Sequence, residues 1–276
     1  MGTFIMVLDF NDNASFKYYT DREKYEAAEV GAFLDGIRKN PNSCVIDVGA
    51  NYGAFCLAAA AAWREGTPSK IIAIEPDRRA YCALEKSIRI NGFQNILAVR
   101  QAIAGDRCGS ETLYENARSS ADNRSHQVAT APIRVRSRYS VPCSTVDALV
   151  EAEGVSFASK FVIKMDIQGN EFRAMRGMKR ILQESSGWLL FFEHAPYLIE
   201  SAGLELAQYH HFLASLAPDF MMEICPSGLE RLADFSAFEK SVNRFAFQRD
   251  RRFQGTGSNY VFGRRMVFCS NDLGKL

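Results

Sequence analysis

Two glycines and two carboxylates stand at a spacing that suits a nucleoside. Asp47-Val48-Gly49-Ala50-Asn51-Tyr52-Gly53 joins an apolar run to an alanine-rich one. Gly49 and Gly53 let a backbone approach a ligand and adopt positive φ. Asn51, between them, is the non-glycine residue that best tolerates a left-handed conformation. A helix opening at this turn presents free N–H groups to a carboxylate. Glu75 closes the next apolar run, and a carboxylate about 20–30 residues after such a turn accepts both hydroxyls of a ribose. The turn is neither the GxGxxG of dinucleotide folds nor the GxxxxGK[ST] of phosphate loops. Asp47, Gly49, Asn51, Gly53 and Glu75 are therefore the candidate binding residues.

A second set lies downstream. Asp166 follows the apolar run Phe161 to Met165, and Glu193 and His194 follow Trp188 to Leu190 and two phenylalanines. In open α/β sheets ligands sit at the carboxyl ends of strands, where these residues fall. A carboxylate there orients a hydroxyl or takes its proton, and a histidine titrates near neutrality. The plainer roles are a helix cap ahead of Gly169 for Asp166 and a hydrogen-bonded structural histidine for His194. Asp166 and Glu193 could share a divalent cation, but no tight ligand spacing supports one, so no metal is expected. His210 and His211 are adjacent on a helical stretch and point apart. Arg249, Arg251 and Arg252 read as a solvated face. Arg134, Arg136 and Arg138 alternate along one strand face, toward an anionic acceptor or toward solvent.

These residues need a scaffold of strand ends, and the hydrophobic pattern supplies one. Strands are expected at Ser43 to Val48, Lys70 to Ile74, Ile96 to Ile103, Ile133 to Tyr139, Phe161 to Met165, Trp188 to Phe192, Phe220 to Ile224 and Tyr260 to Phe268. Helices fall between them. Ala54 to Arg64 contains five consecutive alanines, Arg78 to Asn91 is closed by Gly92, Glu171 to Leu182 carries a Phe172, Met175, Met178, Leu182 stripe, and Glu205 to Leu216 follows. Thr20 and Glu23 form a capping box before a helix from Tyr25 to Arg38. Met1 to Phe10 reads as a strand, and Asn116 to Ala131, without apolar period, as a mobile loop near the acceptor cleft. Such alternation gives a doubly wound, mostly parallel sheet. Residues 1–42 read as an N-terminal extension packed on one domain, 43–276.

The composition narrows the partners. Lys and Arg number 33 against 32 Asp and Glu, which gives no basic footprint for nucleic acid. No run approaches the roughly 20 apolar residues of a membrane span. Seven scattered cysteines without a CxxC pair suit reduced thiols in the cytoplasm. Oligomeric state is not legible.

The sequence resembles the FkbM family of S-adenosylmethionine-dependent class I methyltransferases. The resemblance rests on Val45 to Gly53, Ile74-Glu75-Pro76, Asn91, Ser144-Thr145-Val146-Asp147-Ala148-Leu149 and Ile163-Lys164-Met165-Asp166-Ile167-Gln168-Gly169-Asn170-Glu171, over roughly residues 42 to 194. It implies a Rossmann-like sheet of seven strands with the last reversed, and O-methylation of a hydroxyl on a saccharide or secondary metabolite. It also implies that Asp166 lies beside the methionine part of the cofactor, with Asp166, Glu193 and His194 as the acceptor-side candidates. Gln168 departs from the family's usual glutamate. The competing readings are a nucleotide-dependent oxidoreductase, disfavoured by the glycine spacing, and a cofactor-binding protein without turnover.

Overall fold

A computed structural model describes residues 3–21, 26–62, 70–103, 105, 108–126, 133–225, 228–246 and 258–268. The central sheet begins with three parallel strands, β1 (Cys44–Val48), β2 (Lys70–Ile74) and β3 (Ile96–Val99). A small second sheet follows, built from β4 (Ala102–Ile103), β5 (Gly109–Asn116) and β6 (Val135–Ser144). The chain then returns to the main sheet with β7 (Lys160–Met165), β8 (Gly187–His194), β9 (Phe220–Cys225), β10 (Gly228–Leu232) and β11 (Ser258–Arg264). The order across it is β10-β9-β11-β8-β7-β1-β2-β3. β11 runs antiparallel to both β8 and β9, which makes it the expected reversed strand. β10 hairpins onto β9 as an eighth strand beyond the expected seven.

Strand alternation sends side chains to two cores. Ile46, Val48, Ile72 and Ile163 face one cluster, and Val45, Ile71, Ala73 and Val162 face the other. Helices α1 (Asn13–Thr20) and α2 (Ala27–Lys39) precede the sheet; α2, α3 (Ala54–Ala62) and α4 (Arg78–Asn91) cover the second cluster. Alanines 58 to 61 are all buried, and their small side chains let α3 lie close to the strands. The other face carries α5 (Val146–Ala152), α6 (Glu171–Arg176), α7 (Lys179–Glu184), α8 (Pro196–Ser201), α9 (Leu206–Ser215) and α10 (Phe235–Ala246). Among the described residues no helix is long and apolar enough to cross a membrane.

Four expectations are corrected. The run Ile96 to Ile103 is two strands in two sheets, because the chain leaves β3 at Arg100 and Gln101 and crosses to β6. Residues 171 to 182 are two helices. A Cβ at Gly177 would sit 2.0 Å from the Gly105 carbonyl oxygen, so a neighbouring backbone crosses the break. Residues 3–9 form no strand. The amides of Ile5 and Val7 donate instead to Asn91 Oδ1 and Ser87 Oγ on α4. Thr20 ends α1 rather than capping α2; Glu23 and Tyr25 lie outside the described residues.

Candidate functional site

The carboxyl ends of β1, β2 and β7 open into a cleft of about 950 Å³, counting the space at its mouth. Gly49, Ala50 and Asn51 line it, and the turn has the conformation its residue types predict: φ is +81° at Gly49, +49° at Asn51 and +94° at Gly53. At Gly49 no other residue fits, since a Cβ would lie 2.0 Å from the Asp166 carbonyl oxygen at the end of β7. Gly53 faces away from the cleft, where a Cβ would press on Leu84 at 2.5 Å.

Glu75 joins the two strand ends. Its Oε2 accepts from the Asn51 amide at 2.7 Å and its Oε1 from the Asp77 amide at 2.7 Å, while the side chain lines the cleft. Burial, and then the neighbouring Asp77, push its carboxyl up to about 8. Beside it, Gln101 Oε1 is buried without a hydrogen-bond partner, next to Ala102, Ile103 and Leu113.

Asp47 does not reach the cleft. It is fully buried behind the turn, where Oδ2 accepts from the Cys56 amide in the first turn of α3 at 3.2 Å. Its counter-charge is Lys164, which the sequence reading passed over. Lys164 is buried on β7; its Nζ donates to the Gly49 carbonyl at 3.1 Å and lies 3.6 Å from Asp47 Oδ1 and 3.9 Å from Asp166 Oδ2. The same ammonium sits 4.8 Å from the centre of the Phe55 ring. Burial opposes its charge, but Asp47, Asp166, Glu26 and Glu75 outweigh burial and raise its pKa.

Asp166 lines the cleft and is about one-third exposed, at 34%. Gln168, itself at φ +55°, donates from Nε2 to Asp166 Oδ1 at 2.8 Å. Glu171 is buried and its Oε1 accepts from the Ile167 amide at 2.8 Å; burial raises it to about 7. Glu193 stands beside both. Burial, Asp166 and Glu171 push its carboxyl well above the usual range.

His194 is placed differently from a base facing the cleft. It is 1% exposed, stacks on Tyr209 at 5.3 Å and packs against Phe238 and Tyr260. Its Nε2 lies 3.1 Å from His210 Nε2, so His210 is its partner. Burial, and then His210, lower it to about 3. Neither histidine lines the cleft, and the plainer structural role fits both.

The walls come from segments with weak sequence signals. Ser120, Ala121, Asn123 and Ser125 line the cleft, as do Tyr18 and Glu26 from the N-terminal segment. Ser120 Oγ donates to Asn51 Oδ1 at 2.9 Å, the Ser120 amide to Asp12 Oδ2 at 2.9 Å, and Asn170 Nδ2 to Ser125 Oγ at 2.8 Å. Polar bonds rather than apolar burial place this stretch, which is why the loop expectation gave no structure for it. Residues 127–131 lie outside the described residues, as do Arg249, Arg251 and Arg252. Arg136 pairs with Glu115 at 3.3 Å, and the Arg134, Arg136, Arg138 stripe does not line the cleft. A smaller recess continues past Phe55, Lys164 and Asp166 toward Glu29 and Asn259.

The family model of the FkbM methyltransferase domain matches residues 47–217, which contain the glycine turn, Glu75, Gln101, Lys164 and Asp166. No curated protein matches the chain. Among solved structures, methyltransferase FkbM from Methylobacillus flagellatus KT is 17% identical, with 80% of this chain and 43% of that chain covered and a TM-score of 0.47. A SAM-dependent methyltransferase from Aquifex aeolicus is 10% identical, with coverage of 91% and 97% and a TM-score of 0.44. TYW2 from M. jannaschii, in complex with AdoMet, is 10% identical, with coverage of 89% and 77% and a TM-score of 0.41. The chain spans less than half the length of the Methylobacillus protein.

Proposed function

The chain belongs to the FkbM methyltransferase family, and from that premise we propose that it moves a methyl group from S-adenosylmethionine to a hydroxyl oxygen of a saccharide or secondary metabolite. The observation that carries this reading is Glu75, a carboxylate that ties the glycine turn to the second strand end while facing a cleft.

The residues present fit the cofactor. Each Glu75 oxygen keeps a lone pair beyond its backbone bond, enough for the two hydroxyls of a ribose. The orphaned Gln101 Oε1 is an acceptor for the exocyclic amino group of adenine, with Ile103 and Leu113 as apolar walls for the ring. Gly49 and Asn51 offer backbone at close range for the amino-acid end. Bound there, S-adenosylmethionine supplies a methyl group on a positively charged sulfur, open to in-line attack. Asp166 would hold the acceptor hydroxyl and take its proton as the oxygen is methylated. Lys164 and Gln168 keep that carboxylate in place. The tied segment 120–125 and the N-terminal residues Tyr18 and Glu26 shield the cleft from water. We read residues 1–42 as an extension that completes this wall, and 43–276 as the catalytic domain. The six cysteines among the described residues are all free, which suits a cytoplasmic enzyme.

Calorimetry tests the reading. Above pH 8, where the Glu75 carboxyl has lost its proton, Glu75→Gln keeps the side-chain shape and loses charge-assisted bonds of roughly 1.5–3 kcal/mol, so S-adenosylmethionine affinity should fall about 10- to 100-fold with the fold intact. Unchanged affinity in a folded variant contradicts the assignment. Mass spectrometry of methylated products across hydroxyl, amine and thiol acceptors then tests the choice of oxygen.

A further inference from the structure

Beside the cleft, reaching it through Asp166, lies a group of carboxylates that the nearby cations do not balance. Asp166 closes β7, Glu171 opens α6 and Glu193 lies near the end of β8, and one oxygen from each falls within 4.8 Å of the others. Three carboxylates at this separation repel one another strongly where water is scarce. Glu171 is 1% exposed. The cation that acts on Glu193 is Lys164, and it is already shared among the Gly49 carbonyl, Asp47 and Asp166.

An independent observation points to a missing partner. Glu193 Oε2 is buried and has no hydrogen-bond partner. It belongs to the same trio, and burial of a lone carboxylate oxygen is costly. The other two carboxylates are anchored by protein donors: Glu171 by the Ile167 amide, Asp166 by the Gln168 amide. Glu171 takes further backbone hydrogen bonds from Gly169 and from its own amide, whereas the Gln168 bond on Asp166 falls on Oδ1, with Lys164 3.9 Å from Oδ2. The trio therefore has rigid supports on two members, an orphan oxygen on the third, and an entry path past the partly exposed Asp166.

We propose that Asp166, Glu171 and Glu193 form a binding site for a divalent hard cation, such as magnesium or manganese, behind the point where Asp166 lines the cleft. Only oxygen ligands are offered, the set that suits these ions rather than zinc or copper. Three protein ligands leave coordination positions open toward the cleft for water or an acceptor oxygen. The ion would then hold the oxygen that the preceding reading assigns to Asp166 alone. The site itself stands apart from that reading, since neither cofactor nor acceptor enters its definition.

Manganese titrated into the full-length, chelator-treated protein, with free ion read by electron paramagnetic resonance, is the test. The expected result is one ion bound more tightly than about 1 mM and displaced by excess magnesium. Glu193→Gln and Asp166→Asn, each checked for fold by circular dichroism, should both weaken it by at least about tenfold. If Glu193→Gln fails to fold, the partly exposed Asp166→Asn carries the test alone. Glu230→Gln should leave this binding unchanged, because Glu223, Cys225 and Glu230 form a separate trio on the β9–β10 hairpin. A wild-type protein that binds no manganese below about 1 mM overturns the proposal in favour of a proton shared among the carboxylates. Binding untouched by the Asp166 variant, or lost only in Glu230→Gln, overturns it as well.

Discussion

Lys164 is the residue on which the site's charge balance turns. It is a buried cation whose ammonium serves a backbone carbonyl and two carboxylates at once. Removing one member of such a buried group leaves the others uncompensated. Lys164→Met should therefore destabilise the chain by about 3–5 kcal/mol, measured by urea unfolding at constant m-value. Adding Asp47→Asn should recover part of that loss, because the orphaned charge goes with it. Additive costs in this double-mutant cycle would show that the two residues do not act on each other. The same residue marks the limit of sequence reading. Asn51 and Glu75 were legible because their roles follow from residue type and local spacing. Lys164 sits in a run of apolar strand residues, and its two nearest partners, Gly49 and Asp47, are more than a hundred positions away in the chain. Gln101 was hidden for a related reason: the run around it read as one strand, and only the crossover to the second sheet turns its side chain into the cleft.

At the scale of elements, the glycine turn works because β1 and β7 meet there. The Asp166 amide donates to the Val48 carbonyl at 3.1 Å, and the Gly49 and Ala50 amides both donate to the Ile74 carbonyl. Gly49→Ala should break that junction. The added methyl meets the Asp166 carbonyl, and the positive φ adds its own cost. Overpacking of about 1–3 kcal/mol and a left-handed alanine of about 1–2 kcal/mol together give a loss of about 2–5 kcal/mol. Thermal unfolding reads the stability and calorimetry the accompanying loss of S-adenosylmethionine binding. A variant of wild-type stability would mean the turn relaxes freely, against the contact drawn here. Strand ends of this kind were readable from hydrophobic runs bounded by turn residues. His194 shows what such runs omit. Its place at the end of β8 suggested the cleft, but α9 and α10 close over it with Tyr209, His210 and Phe238. α10 was not expected at all, and without it nothing in the sequence distinguishes a buried strand-end histidine from a catalytic one.

The whole molecule gathers more buried acid than it neutralises, and its stability should report this as pH rises. Burial raises Glu75 to about 8 and Glu26 and Glu171 to about 7, against an ordinary 4.5, and moves Glu193 in the same direction. Each of these carboxyls keeps its proton in the folded chain at pH values where the unfolded chain has lost it. The folded state then binds more protons, so unfolding free energy falls with pH. Their contribution is fully present below about pH 4.5 and is lost as pH rises through 7 to 8. Buried histidines act in the opposite sense. His194 at about 3 and His126 at about 4 lie below their ordinary 6.5, so stability from them grows up to about pH 6.5 and is level beyond it. The interval from pH 6.5 to 8 therefore isolates the carboxyls. One group contributes a slope of about 1.4 kcal/mol per pH unit while it is protonated only in the folded state. For Glu75 alone that amounts to on the order of 2 kcal/mol across the interval. Urea unfolding in chelator at pH 6.5 and 8 should show at least this decrease. Glu75→Gln should show a smaller one, since an amide has no proton to lose. A wild-type stability that is level or rising over the same interval would mean that these carboxyls are ionised throughout, and that water or bound cations reach the floor of the cleft more freely than their burial implies.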